Sequence, residues 1–482
     1  MTEKIFDLFE RVVADGLLLH VFSLLGFVLA FFLVARLMSE KRAPANTFAW
    51  LLGILLLPWV GVPLYLIFGG RKLRQLVDRK SSLLPTLPAG VTRPAEFTGA
   101  PIAHTIVSAG AAPPVAGNSL RLLTTGEEAF AALEEQIRAA RHAIHITTFI
   151  LGRDDTGRRL VQLLAERARD GVKVRLLLDA LGCLFTSGSF TRPLRQAGGE
   201  VGRFMPVTPF SSRGSANLRN HRKIAIFDHA TAIIGGHNLA REYMGPHRYK
   251  KRFHDFGALI HGPAAALLND VFIADWCFVT RQSTETLRAA IPDSVVAPCG
   301  GTELQVVASG PDVPGDPLYE GIVSMVQEAK QNLWIVTPYF IPDDVLLRSL
   351  VVKARSGVDV TLIIPSRSNH PLTDFARRFY LRELRRSGAR VLLFMPGMLH
   401  SKAVIVDDCV GLLGSANFDL RSLFVNFEIG VVVHTAADAR AMKAWAETLT
   451  HHCRELKADS AKPSRLFGNL AEDLSRLLAP LL

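Results

Sequence analysis

No two of the five cysteines form a C-x-x-C pair. Cys183, Cys277, Cys299, Cys409 and Cys453 are scattered and odd in number, which speaks against a disulfide framework or a zinc site and fits a reducing compartment. No cluster of residue types at metal-ligand spacing appears elsewhere, so no metal and no cofactor is expected. Nor is the chain short of apolar residues: they make up 49 % of its 482 positions, which excludes disorder as the main state. The scarcer charge is the negative one. With 55 Lys and Arg against 44 Asp and Glu, the formal net charge is +11, which suits an anionic partner: nucleic acid, a phosphorylated small molecule or an anionic membrane.

Charge is missing altogether from two stretches near the start. "GLLLHVFSLLGFVLAFFLVA" runs from Gly16 to Ala35, and "FAWLLGILLLPWVGVPLYLIF" from Phe48 to Phe68. About twenty apolar residues at 1.5 Å rise cross a hydrocarbon core of roughly 30 Å. No A-x-A-like cleavage site follows the first run and a second comes soon after, so a removed signal peptide is a poor fit. Pro58 and Pro63 kink the second run, and Trp50, Trp59 and Tyr65 suit interfacial anchors. Two spans put both flanks on one side of the membrane. That side carries Lys4, Arg11, Arg71, Lys72, Arg74, Arg79 and Lys80, against Arg36, Lys41 and Arg42 in the loop between the spans, so the large domain is expected in the cytoplasm. The following stretch, rich in Pro, Ala and Gly, reads as a linker.

The rest of the chain is written twice. "NHRKIAIFDHATAIIGGHN" from Asn220 and "LHSKAVIVDDCVGLLGSAN" from Leu399 keep the same gaps. His221 and Lys223 match His400 and Lys402; Asp228 matches Asp407; Gly235-Gly236 matches Gly414-Ser415; Asn238 matches Asn417. Before each motif an amphipathic helix leads into a β-rich stretch ("AIHITTFI", "LWIVTPYFI"), then a second helix and an apolar strand ("VKVRLLLDA", "VDVTLIIPS"). Alternating strands and helices predict an α/β half with a buried sheet. His and Lys two apart on a strand share one face. After each motif a further strand carries one acid, Asp255 or Glu428, giving the histidine in each half one partner.

Two His, two Lys and two Asn suit a tetrahedral oxyanion. Lysines neutralise phosphate; the Asn238 and Asn417 amides donate to its oxygens. One imidazole attacks phosphorus and the other protonates the leaving alkoxide, then activates the incoming hydroxyl. A carboxylate on the far ring nitrogen fixes the tautomer. Asp228 and Asp407 belong to the same repeated polar set and are candidates with it, although they end the strand away from the His/Lys pair, where a turn or salt-bridge role fits better.

The double H-x-K-x4-D-x6-G-(G/S)-x-N pattern resembles the phospholipase D superfamily. "LHSKAVIVDDCVGLLGSANFDLRSLFVNFE", "TPYFIPDD" and the N-terminal "FAWLLGILLLPWVGVPLYLIFGGRK" resemble its bacterial cardiolipin synthase branch. The resemblance implies two pseudo-symmetric phospholipase D-type sandwich halves, mixed β-sheets flanked by helices, behind a two-helix transmembrane hairpin. The expected division is hairpin 1–80, linker 81–118, first half 119–298, and second half with a C-terminal helix 299–482. It further implies a multi-pass protein of the bacterial inner membrane whose partners are anionic phospholipids and not nucleic acid. The implied reaction is a transphosphatidylation in which two phosphatidylglycerols give cardiolipin and glycerol through a phosphohistidine. His221, Lys223, Asn238, His400, Lys402 and Asn417 would be the catalytic and phosphate-binding residues, and Asp255 and Glu428 would orient the histidines. Which histidine attacks stays open, as do water as acceptor, a nuclease reading, a scaffold that kept the fold, and the oligomeric state. The tail from Leu466 carries an apolar helical stripe that fits core packing or a membrane interface. The basic stretch Arg377 to Arg390 reads as a solvated helix face that, near the site, can hold anionic headgroups.

Overall fold

The computed structural model describes residues 100–457 except 187, 207–217, 290–296 and 314, together with 28, 31–32, 51–54, 56–57, 59–61, 80 and 83. Apart from those scattered positions, the two apolar runs expected to form the hairpin lie outside the described residues, as does the tail stripe from 466.

The first half runs β1 (Val115–Leu123), α2 (Gly126–Ala139), β2 (Ala143–Thr148), α3 (Asp155–Arg169), β3 (Lys173–Asp179), α4 (Arg192–Gln196), β4 (Glu200–Phe204), β5 (Ile224–Phe227), β6 (Thr231–Gly235), β7 (Gly257–His261) and α5 (Pro263–Thr280), followed by the short α6 (Thr284–Ala289). The second half repeats it as β8 (Thr302–Ser309), α7 (Pro317–Glu328), β9 (Asn332–Val336), α8 (Asp344–Arg355), β11 (Asp359–Pro365), α9 (Pro371–Arg386), β12 (Arg390–Phe394), β13 (Ala403–Val406), β14 (Val410–Gly414), β16 (Glu428–Val433) and α11 (Ala436–Thr450), with β17 (Cys453–Glu455) added at its edge. The strand β10 (Phe340–Ile341) pairs apart from this sheet with β15 (Phe418–Asp419), and α10 (Leu420–Phe424) follows β15. Local signals recur with the repeat: Asp154 and Asp343, the first acid of "DD" in each copy, cap α3 and α8 through their side chains.

The two half-sheets join. Strand order is β17-β12-β11-β9-β13-β14-β16-β8-β1-β7-β6-β5-β2-β3-β4, fifteen strands with β8 and β1 antiparallel at the centre and matching orders on either side. The sheet is mixed: β2, β3 and β4 are parallel, as are β9, β11 and β12, and the central strands are antiparallel. β2 and β16 are buried at every position, so both faces are covered. α5 lies along one face of the first half and α11 along the second. Among the described residues α5 alone is long and apolar enough to cross a membrane, but it is a core helix, 67 % buried, with Trp276 and Phe272 packed inside.

The stretch 81–118 is not all linker. Its end forms α1 (Pro101–Ser108) and the start of β1. Pro101 sits at the helix start, where a missing N–H costs nothing, and Ile102, Ile106 and Val107 are buried. Ile102, Ile106 and Ala111 join the core of the second half against Leu318, Ile322 and Met325. The chain just before the first half thus packs on the second.

Candidate active site

His221 and Lys223 lie just before β5, and His400 and Lys402 just before β13. Each lead-in is stitched to the lead-in of an acid strand from the other half. His221 N–H donates to the Phe427 carbonyl at 2.9 Å, and Phe427 N–H to that of Arg219 at 2.9 Å. His400 N–H donates to the His254 carbonyl at 2.7 Å, and His254 N–H to that of Met398 at 2.8 Å. The next residues along those acid strands are Glu428 and Asp255. The result is a crossed pairing: His221 Nδ1 lies 2.9 Å from Glu428, and His400 Nδ1 lies 2.6 Å from Asp255. Each histidine has one acid, as expected, and each acid comes from the opposite half, a pairing that the sequence left open. Carboxylates only accept, so Nδ1 carries the hydrogen in both rings and each Nε2 keeps its lone pair.

Burial governs the charges. It pulls Lys223 down to about 7 and Lys402 down to about 8, against the opposing pull of Glu428 and Asp255. It pulls His400 down to about 3, with Lys402 adding to the effect, and it lowers His221. Burial alone would raise both acids, but His400 and Lys402 hold Asp255 well below the usual carboxylate range, and His221 with Lys223 lowers Glu428. Both imidazoles are therefore neutral and both acids charged. Lys402 Nζ lies 3.2 Å from His400 Nε2, while Lys223 Nζ donates to the His221 carbonyl at 2.7 Å. The Phe149 ring meets His221 edge-on at 5.0 Å, and Tyr243 meets His400 in the same way at 5.1 Å.

Asn238 and Asn417 are both buried. The Asn238 carbonyl oxygen accepts from the Ile150 amide at 3.1 Å, and Asn417 bonds Asp419. Ser415 donates to Glu428. Its counterpart is Gly236, where a Cβ would lie 2.0 Å from Asp255 Oδ1. The acid one methylene shorter is matched with the residue that has no side chain.

Asp228 and Asp407 do not join this group. Each occupies the left-handed region, with φ 48°, followed by a second positive-φ residue, His229 or Asp408. These are tight hairpin turns, β5 to β6 and β13 to β14. The Asp228 carboxylate accepts the amides of Arg141, His142 and Ala143 at 2.7–2.9 Å; Asp407 accepts those of Lys330, Gln331 and Asn332 at 2.7–2.8 Å. Each pins the entry to β2 or β9, so their candidacy as catalytic residues is withdrawn. Asp228→Ala is expected to destabilise the fold by about 2–3 kcal/mol, since it strips three amides of a charged acceptor, while kcat of the folded fraction stays near wild type. Burial raises the Asp228 pKa, but the three amides outweigh it and leave it lowered. Its contribution is therefore present above the unfolded value near 3.8 and lost as pH falls through the folded one. Denaturant melts from pH 7 down to pH 3, alongside activity, check both.

Two buried ion-pair groups flank the first motif, and only one of their members, Lys80, had been singled out in the sequence, as a flanking charge. Arg219 meets Asp179 at 3.4 Å, and Asp179 also accepts the Asn220 amide. Arg222, the middle residue of H-R-K, donates to Asp275 on α5 at 2.6 Å and to the Glu428 carbonyl at 3.0 Å. Lys80 joins it, 2.7 Å from Asp275 and 2.5 Å from Asp312. The alternation that puts His221 and Lys223 on one face puts Arg222 on the other, which is the signal by which it could have been found.

The fold of the two joined half-sheets has a counterpart among solved structures. The fold matches a phosphatidylserine synthase of Haemophilus influenzae with a TM-score of 0.58 over 75 % of this chain and 95 % of that one, at 19 % identity. The family model described as cardiolipin synthase, phospholipase D-like domain, matches residues 133–276 and 322–450, and that described as phospholipase D-nuclease N-terminal matches 27–70. The chain is 33 % identical to a cardiolipin synthase of Geobacillus kaustophilus over 97 % of its length and 95 % of the relative's. It is 31 % identical to the major cardiolipin synthase ClsA of Bacillus subtilis over 97 % and 99 %. The chain belongs to the phospholipase D-like cardiolipin synthase family.

Proposed function

We propose that the chain is a phosphatidyltransferase that joins two phosphatidylglycerol molecules into cardiolipin and releases glycerol. The observation that carries this reading is the pair of neutral imidazoles, each held through Nδ1 by an acid of the other half and each left with an unprotonated Nε2. One Nε2 attacks phosphorus of the first lipid. The other imidazole takes up a proton at Nε2 as the lipid binds; the P–O bond to the glycerol headgroup breaks, and that imidazolium delivers the proton that makes glycerol neutral. That second imidazole then takes the proton from a headgroup hydroxyl of the second lipid, whose oxygen displaces the first histidine from phosphorus. Atoms and charge balance: the first ring is freed, and the second again carries the one proton taken up on binding, which it loses as product leaves.

Lys223, Lys402, Asn238 and Asn417 are the phosphate-binding groups in this reading. An arriving phosphodiester brings one negative charge to the buried lysines, which favours their charged forms. It also favours a proton on the acid imidazole, so proton uptake accompanies substrate binding. The glutamate or aspartate behind each ring stabilises the imidazolium as it forms. The N-terminal family match and the Lys/Arg excess beside the apolar runs support a hairpin anchored in the bacterial membrane with the two halves, 119–298 and 299–482, on the cytoplasmic side.

Lipid mass spectrometry tests the reading. Purified protein with vesicles of phosphatidylglycerol alone is expected to yield cardiolipin and free glycerol in equal amounts. Phosphatidic acid in place of cardiolipin would mean that water is the acceptor and would sink the transferase reading.

A further inference from the structure

Between residues 100 and 457, nine large apolar side chains are exposed among the described residues, and five of them sit on one repeated feature. That feature is the connection from the third to the fourth strand of each half: β3 to β4 in the first, β11 to β12 in the second. The first carries Leu181, Leu184 (56 % exposed) and Phe185 (82 %); the second carries Leu372 (54 %) and Phe375 (41 %). A soluble surface scatters such side chains singly. Here they are concentrated at equivalent places in the two copies.

Both connections border the site. Cys183 Sγ donates to the Phe149 carbonyl at 3.3 Å, and the Phe149 ring rests against His221. In the other half, Asn369 accepts from the Tyr339 hydroxyl. Tyr339 leads into β10, which pairs with Phe418, the residue after Asn417 of the second motif. Charge accompanies the apolar groups. The Arg378 guanidinium lies 4.5 Å from the centre of the Phe375 ring, and the helix continues with Arg382 and Arg386 at helical spacing.

We propose that these two connections form a membrane-contacting rim on either side of the active site, seating Leu184, Phe185, Leu372 and Phe375 in an anionic bilayer with Arg378 at the phosphates. The proposal rests on the lipid-transferase reading. Of the possible occupants, an anionic bilayer supplies both chemistries the rim presents, hydrocarbon for aromatic and leucine side chains and phosphate for the arginine beside them. The rim would let a diacyl lipid move from the bilayer to either histidine with its chains shielded from water, and the duplication gives one such entrance per substrate.

Tryptophan placed at single rim positions tests this. Full-length protein in vesicles of phosphatidylglycerol, with Trp50→Phe and Trp59→Phe to remove the N-terminal indoles, retains only the buried Trp276, Trp334 and Trp445. Phe185→Trp and Phe375→Trp in that background should be quenched by lipids brominated on their acyl chains; Val352→Trp, exposed on α8, should not. Leu184→Ser/Phe185→Ser should lower cardiolipin formation from vesicles by about tenfold, the scale of one buried apolar side chain, while leaving turnover of monomeric short-chain phosphatidylglycerol unchanged. Absent quenching in a protein that still makes cardiolipin would overturn the rim and leave the function standing. A blue shift without bromine quenching would mean a protein partner covers the rim, and would also overturn it. Quenching in a protein that makes no cardiolipin would support the rim and sink the reading it rests on.

Discussion

Glu428→Gln is expected to disable His221, and Asp255→Asn to disable His400, each slowing cardiolipin formation by up to about 10⁴-fold, the loss seen when a carboxylate behind a catalytic imidazole becomes an amide. His221→Ala and His400→Ala should lose more, about 10⁴-fold or beyond, because the reaction assigns each ring a separate bond-making or proton-moving role. The four variants sort into two pairs under a substrate whose leaving group needs no proton, such as a phosphatidyl ester of p-nitrophenol. The ring that only supplies the proton becomes dispensable for the first step, so its alanine variant should release a burst of nitrophenol and hold a phosphatidyl group that survives alkaline denaturation and is released by acid, as expected of a phosphoramidate. The variant lacking the attacking ring should show no burst. This identifies the nucleophile. The crossed contacts add a sharper demand: Glu428→Gln must follow His221→Ala, and Asp255→Asn must follow His400→Ala. Pairing by half, with Asp255→Asn behaving as His221→Ala, would contradict the crossed arrangement.

That crossing marks the limit of what the sequence discloses. The repeat itself was legible because it rests on local spacing: His and Lys two apart, glycines and asparagine at fixed offsets, a helix before and after. The two acids were legible as residues for the same reason. Their assignment was not, because Asp255 and Glu428 stand at the same step in both copies and equal spacing fits either pairing. The choice is made by two short backbone ladders, Asn220 beside Phe427 and His254 beside Leu399, between segments more than a hundred residues apart. Asp228 and Asp407 were legible in part: their place at the strand end pointed to a turn, but the rest of the polar set made them candidates too. A tight hairpin turn usually advertises itself with Asn-Gly or Asp-Gly; here the pairs are Asp-His and Asp-Asp, and the carboxylates hold three amides each from the preceding helix-strand loop. In 101–108 the Pro- and Ala-rich surroundings hid an apolar spacing of four, Ile102 to Ile106, that only the neighbouring α7 makes meaningful.

The buried charges beneath the first motif lead to a prediction that spacing alone could not have suggested. Lys80, Arg222, Asp275 and Asp312 have side chains almost wholly removed from solvent, two positive and two negative. Lys80 Nζ also lies 4.6 Å from the centre of the Phe427 ring, the residue before Glu428. Removing one member of a buried ion group leaves its partner uncompensated, which typically costs about 3–5 kcal/mol, far more than the intact group contributes. Lys80→Met should therefore destabilise the protein by that amount in denaturant melts. It leaves two carboxylates facing one guanidinium, and the strain falls on Arg222, which ties the His221 segment to the Glu428 backbone. Lys80→Met/Asp312→Asn restores the balance to one carboxylate and one guanidinium, and should recover most of the stability and activity lost in the single variant. If the double variant is as unstable as the sum of the two single ones, the lysine acts through shape and not charge. Recovery would show instead that a residue ahead of the first half sets the electrostatic footing of the strand that carries His221.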